Sequence, residues 1–108
     1  MSRAAGQRED VFRAIADPNR RRMLDLLVSG DAPARKIAAQ FEMTFAAVSQ
    51  HLKVLRDAGL VARRSEGRAR IYRLTPTRLR EVEEWTATYR KFWVGRLRRL
   101  GQYLDDGK

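Results

Sequence analysis

Apolar residues recur at helical spacing in four short blocks, alternate once, and then return to helical spacing for a long final run. Val11, Phe12 and Ile15 share one face of a first helix expected over Gln7 to Ala16. Asp17 is placed to cap a second helix, and Pro18 suits its first position. That helix is expected to reach Val28 and to bury Met23, Leu24, Leu27 and Val28. Ser29-Gly30-Asp31 ends it. Pro33 is placed to start a third helix, Ala34 to Phe41, and the turn Glu42-Met43-Thr44 follows. Thr44 can cap a fourth helix, in which Val48, Leu52 and Leu55 fall at i, i+4 and i+7, and Gly59 stops it.

The period then changes. Leu60-Val61-Ala62-Arg63-Arg64 and Arg70-Ile71-Tyr72-Arg73-Leu74 read as two short strands. Ser65-Glu66-Gly67-Arg68 joins them, with Gly67 able to take a positive φ. Thr75-Pro76 opens a last helix to about Leu104, with Leu79, Val82, Trp85, Tyr89, Phe92, Trp93, Leu97, Leu100 and Leu104 three and four residues apart. A helix of that length spans about 45 Å, more than so small a core can cover. The expected fold is mainly α with a small β-hairpin. It is one domain over 1–108, with residues 8–74 as core and wing and residues 75–104 as a long C-terminal helix.

The fourth helix carries the clearest chemistry. Opposite its apolar face lie Ala46, Gln50, Lys53 and Asp57, with Ser49 on the edge. Its first residues are small enough for close approach, and Ser49 and Gln50 both donate and accept hydrogen bonds. A helix of this kind is what the major groove of double-stranded DNA admits. Preceded by a helix and a tight turn, and followed by a basic hairpin, it gives the order of a winged helix-turn-helix. Ser49 and Gln50 are the expected base readers. Thr44 and Lys53 are expected on phosphates, and Arg68 and Arg70, with Arg64 beside them, on the flanking backbone or minor groove.

Charge agrees with that placement. The chain has 23 Lys+Arg against 13 Asp+Glu, a formal net charge of +10. Residues 45–74 hold seven basic and two acidic residues, the densest basic stretch. This favours a polyanion partner over charge that serves solubility alone. There is no cysteine, which excludes disulfides and thiolate metal sites. No apolar run is long enough to cross a membrane, and the opening MSRAAGQRED lacks an apolar signal core, so a cytoplasmic location is expected. No nucleophile, base and oxyanion set is visible, so catalysis is not expected.

Asp17-Pro18-Asn19-Arg20 through Leu27, the reading helix Val48-Ser49-Gln50-His51-Leu52-Lys53-Val54-Leu55, then Ala58-Gly59-Leu60-Val61 and a wing with Gly67-Arg68 resemble the ArsR (arsenic-repressor) family of bacterial winged-helix regulators. The resemblance covers about residues 10–75 and implies sequence-specific DNA binding, with the long last helix used for dimerisation. Metal-sensing members carry a Cys-x-Cys where this chain has Pro33 and Arg35, or Asp and His on the last helix, which here has no His. The resemblance is therefore to members without metal ligands, and no metal or other cofactor is expected. A small-molecule or protein effector is left open.

The resemblance thus implies a homodimeric repressor, with Val11, Phe12, Ile15, Trp85, Tyr89, Phe92, Trp93, Leu97 and Leu100 in the interface. A protein-interaction module built on the same fold is the alternative, as is a ligand pocket at the aromatic stripe. His51, the lone histidine, suits either packing or a DNA contact. The run Arg20-Arg21-Arg22 reads as a solvated or ion-paired face.

Overall fold

Most helix ends in this chain are set by a side chain that captures a free backbone group. The computed structural model describes the backbone of residues 10–106 and the side chains up to Gly95. The Asp10 carboxylate accepts from the Phe12 N–H at 2.9 Å and opens α1, Val11–Ala14. Asp17 accepts from Asn19 and Arg20 at 2.7 and 3.2 Å and opens α2, Pro18–Val28. The Thr44 hydroxyl oxygen accepts from Ala47 at 3.0 Å and opens α4, Phe45–Asp57. At the other end of α4, Gly59 takes φ 79°. Leu60 N–H reaches the Leu55 carbonyl and Gly59 N–H the Arg56 carbonyl, both at 2.9 Å. This paired closure leaves Leu55 and Leu60 buried together.

Between these elements lie β1 (Ala32–Pro33) and α3 (Ala34–Ala38). After α4 come β2 (Val61–Glu66), β3 (Ala69–Leu74), a 3-10 turn at Pro76–Leu79, and α5 (Arg80–Asp106). The hairpin pairs Val61 with Leu74 through to Glu66 with Ala69, so only Gly67 and Arg68 turn the chain, with Gly67 at φ 62°. The pattern alone suggests a two-stranded sheet. The structure adds β1 on the far side of β3, pairing Ala32 with Tyr72 and Pro33 with Ile71. Two residues are too short to show a period, and Pro33 is tolerated because β1 is an edge.

Helices α1 and α3 are shorter than expected, and arginines of α2 bond to carbonyls just past both. Arg20 Nε donates to the Ala14 carbonyl at 2.7 Å and Arg21 to that of Ile15 at 2.7 Å, ending α1 before Ala16. Arg22 donates to the Gln40 carbonyl at 3.1 Å and lies 4.4 Å from the centre of the Phe41 ring. After Ala39 the backbone closes in tighter turns, Gln40 N–H on the Ile37 carbonyl at 3.0 Å and Phe41 N–H on that of Ala38 at 3.1 Å. Arg21 and Arg22 are solvent-exposed, as expected of a charge run, and the described residues show hydrogen bonds to carbonyls rather than ion pairs. The triple-arginine run caps the ends of two neighbouring helices. Gln7, where the first helix was expected to begin, lies outside the described residues.

The core joins Val11 and Ala14, Met23, Leu24 and Leu27, Ile37, Val48, Leu52 and Leu55, and Leu60, Val61 and Tyr72. Two expectations need correction. Val28 is 71% exposed. At about 100° per residue it lies at the margin of the arc centred on Met23, Leu24 and Leu27, at the last position of the helix. Val11, expected in a dimer interface, is fully buried in its own chain's core and has no surface left for a partner.

Burial tends to raise the pKa of the Asp17 carboxyl. The backbone N–H groups of Arg20 and Asn19, aided by the nearby His51 and Arg20 side chains, outweigh it and hold the group below its usual 3.8. A depressed folded value stabilises the fold above the unfolded value, and that contribution is lost as pH falls below about 4. Asp17→Ala is therefore expected to cost about 1 kcal/mol at neutral pH, a drop of roughly 4–8 °C in Tm. Melts of both proteins by circular dichroism should converge as pH is lowered below 3.8. A constant gap down to pH 3 would exclude the carboxylate as the source.

Candidate nucleic-acid interface

Alternation along the hairpin decides which arginines face the reading helix. Val61 and Tyr72 are buried, and Arg63 stands opposite Tyr72 in the ladder. Arg63 and Arg70 therefore project on the α4 side of the sheet, while Arg64, one residue on, projects to the other side. The helix face and this sheet face enclose an open groove of about 880 Å³. Ala46, Ser49, Gln50, Lys53 and Arg56 form its helical wall, Arg63, Glu66, Arg68 and Arg70 its hairpin wall, and Arg35 at the start of α3 lies at its edge. The C-terminus of α4 is tied to the hairpin's exit, since Thr75 donates to the Leu60 and Gly59 carbonyls and Arg78 to that of Ala58. The two walls are thereby held in a fixed relation.

Six of the nine residues expected at this interface line the groove: Ala46, Ser49, Gln50, Lys53, Arg68 and Arg70. Lys53 is shared with Asp57 at 2.9 Å, an exposed pair that water screens. Thr44, Arg64 and His51 are not among the lining residues. Thr44 caps α4, with its hydroxyl hydrogen free to donate. Arg64 bridges Asp31 at 2.8 Å and Glu66 at 2.7 Å, which raises its pKa above the ordinary arginine value. Arg63, one residue earlier in the strand, lines the groove instead, because a shift of one residue changes the face.

His51 is half-buried, and its Nδ1 lies 3.1 Å from a guanidinium nitrogen of Arg20. Arginine can only donate, so Nδ1 accepts and the ring hydrogen sits on Nε2. Of its two expected roles, packing is the one shown: the Arg20 side chain joins the end of α1, the start of α2 and the middle of α4. Arg35 and Arg56 were not among the expected contacts, and Arg63 was one of the hairpin arginines from which a neighbour of Arg68 was expected. Arg56 had a signal, at i+7 from Ser49 on the same helical face. Arg35 had none, since its approach depends on how α3 packs. The side chains of Arg35, Arg56, Arg63, Arg68 and Arg70 have no ion-pair or hydrogen-bond partner among the described residues. A helix with polar readers between free guanidinium groups is suited to a phosphate-lined, base-bearing duplex.

The chain matches the family model for bacterial regulatory proteins of the arsR family over residues 17–63. It is 36% identical over 80 residues to the transcriptional repressor SdpR of Bacillus subtilis, covering 74% of this chain and 89% of that one. This chain belongs to the ArsR family. Over 95 residues it is also 35% identical to the HTH-type transcriptional regulator Rv2034 of Mycobacterium tuberculosis, covering 88% and 86%. Two solved structures agree. A possible transcriptional regulator for arsenical resistance superposes with a TM-score of 0.65 at 43% identity, covering 82% of this chain and 88% of that one. An ArsR-like transcriptional regulator from Rhodococcus sp. RHA1 gives 0.67 at 27% identity, covering 89% and 88%.

The expectations for fold and broad function hold. This ArsR-family chain is a winged helix-turn-helix, DNA-binding transcriptional regulator. No helix among the described residues is long and apolar enough to cross a membrane.

Proposed function

We propose that this ArsR-family regulator acts as a homodimeric repressor that occupies an inverted-repeat operator. The observation that carries the reading is the groove, where Ser49 and Gln50 sit between unpaired arginines of α4 and the hairpin. Gln50 is exposed and Ser49 half-buried. Arg68 at the hairpin tip reaches the flanking backbone, and Arg35, Arg56, Arg63 and Arg70 neutralise phosphates beside the reading helix. Such a chain works beside the chromosome, in keeping with a cytoplasmic location.

Dimerisation is supported by surface that the monomer leaves bare. Phe12 of α1 and Trp85 of α5 meet edge to face with ring centres 5.6 Å apart, and Trp85 meets Tyr89 in the same way at 5.6 Å. With Phe92 and Trp93 this is an exposed aromatic stripe, the kind of apolar surface that marks an interaction site. Ile15 is half-buried and packs against the core, whereas the side chains of Leu97 and Leu100 lie outside the described residues. Pairing with a second copy buries the stripe about a two-fold axis and spaces two reading helices about 34 Å apart.

The test is competition binding on a library of operator variants. Gln50→Ala is expected to cost about 1–3 kcal/mol per half-site and to relax preference at one base pair. Arg68→Ala is expected to weaken all sequences alike. Unchanged preferences in the Gln50 variant would remove it as the reader.

A further inference from the structure

The groove holds an exposed aromatic residue that neither the charge nor the hydrogen-bonding account uses. Phe45 is the first residue of α4, and it is 53% exposed while lining the groove. It contributes little to the domain's own packing, because the face of α4 that fills the core is Val48, Leu52 and Leu55. A half-bare aromatic ring at the start of a reading helix stands where N-terminal residues of such helices meet base edges. The ring has no donor or acceptor, so it cannot distinguish the amino, carbonyl or N7 groups of the bases. The one apolar group that the major groove offers is the C5-methyl of thymine. Ala46 beside it adds a second small apolar surface on the same wall and leaves room for the duplex to approach.

We infer that Phe45 is a specificity-determining residue that reads a thymine C5-methyl in each half-site, one helical turn ahead of Ser49. The inference rests on the operator-binding reading above. It adds to the polar readers a position where adenine–thymine is preferred through apolar contact alone. Cytosine, without the methyl, leaves the Phe45 ring against water and is rejected without any clash or unpaired polar group.

The full chain is used to enrich duplexes from a random 30-base-pair library. In the enriched duplex each thymine is replaced in turn by deoxyuridine, symmetrically in both half-sites, which removes a methyl and alters no hydrogen bond. Affinities are measured by fluorescence anisotropy for the wild type, Phe45→Ala and Phe45→Leu. One symmetric position is expected to lower wild-type affinity about fourfold for each methyl lost, on the order of tenfold for the pair. Phe45→Ala should bind the thymine and deoxyuridine duplexes equally, and Phe45→Leu should keep part of the difference. The inference is overturned if no deoxyuridine position weakens the wild type, or if Phe45→Ala remains as sensitive as the wild type. If no duplex is enriched at all, the operator reading falls and this inference with it. An enriched duplex that is indifferent to deoxyuridine sinks the Phe45 inference alone.

Discussion

Raising the salt concentration from 50 to 200 mM is expected to weaken operator binding by on the order of 10³–10⁵. The side chains of five arginines of the groove, Arg35, Arg56, Arg63, Arg68 and Arg70, have no partner among the described residues. Two protomers bring them to about 6–10 phosphates, and each contact releases condensed counterions. The hairpin register sharpens the test. Arg63→Ala should lower the slope of log affinity against log salt by about 1 per protomer. Arg64→Ala should leave it nearly unchanged, since that side chain does not line the groove and already bridges Asp31 and Glu66. Anisotropy titrations across the salt range separate the two. A flat wild-type response would exclude a phosphate-driven interface, and equal effects of the two variants would exclude the facing assigned to Arg63.

Phe92→Asp is expected to separate the dimer and with it tight operator binding. In the single chain Phe92 is 63% exposed, so a carboxylate there should change monomer stability by no more than about 0.5 kcal/mol. In a two-fold interface the same change appears twice and leaves unpaired carboxylates out of water, at a cost of several kcal/mol. About 3 kcal/mol corresponds to roughly a hundredfold loss in association. Sedimentation at micromolar concentration should show a wild-type dimer and a folded variant monomer, and the variant's affinity for the full operator should fall in step. A stable wild-type monomer under those conditions would defeat both the aromatic interface and the inverted-repeat operator.

Features that depend on neighbours along the chain are legible in the sequence. Asp17, Thr44 and Gly59 set helix ends because each acts on backbone groups within a few residues of itself. The α4 face of Val48, Leu52 and Leu55 follows from helical spacing, and it leaves Ala46, Gln50 and Lys53 outward without further choice. The family pattern rests on the same local order of elements, which is why fold and broad function could be read together.

Features that depend on partners distant in sequence were decided only by the tertiary structure. Val11 reads like Phe12 as an apolar helical residue. The docking of α1 sends Val11 into the core and leaves Phe12 at the surface against Trp85. Arg20, Arg21 and Arg22 read as a charge run until the carbonyls of Ala14, Ile15 and Gln40 are brought within reach. Arg63 and Arg64 are the same residue type at adjacent positions. Only the pairing of β2 with β3 assigns one to the groove and the other to an ion pair, because successive side chains of a strand face opposite ways. Sequence by itself determined the elements and the outward face of the reading helix, since those are set by covalent neighbours and period. Tertiary structure decided which arginines stay free for a polyanion, since a guanidinium's availability depends on which carbonyls and carboxylates folding brings beside it.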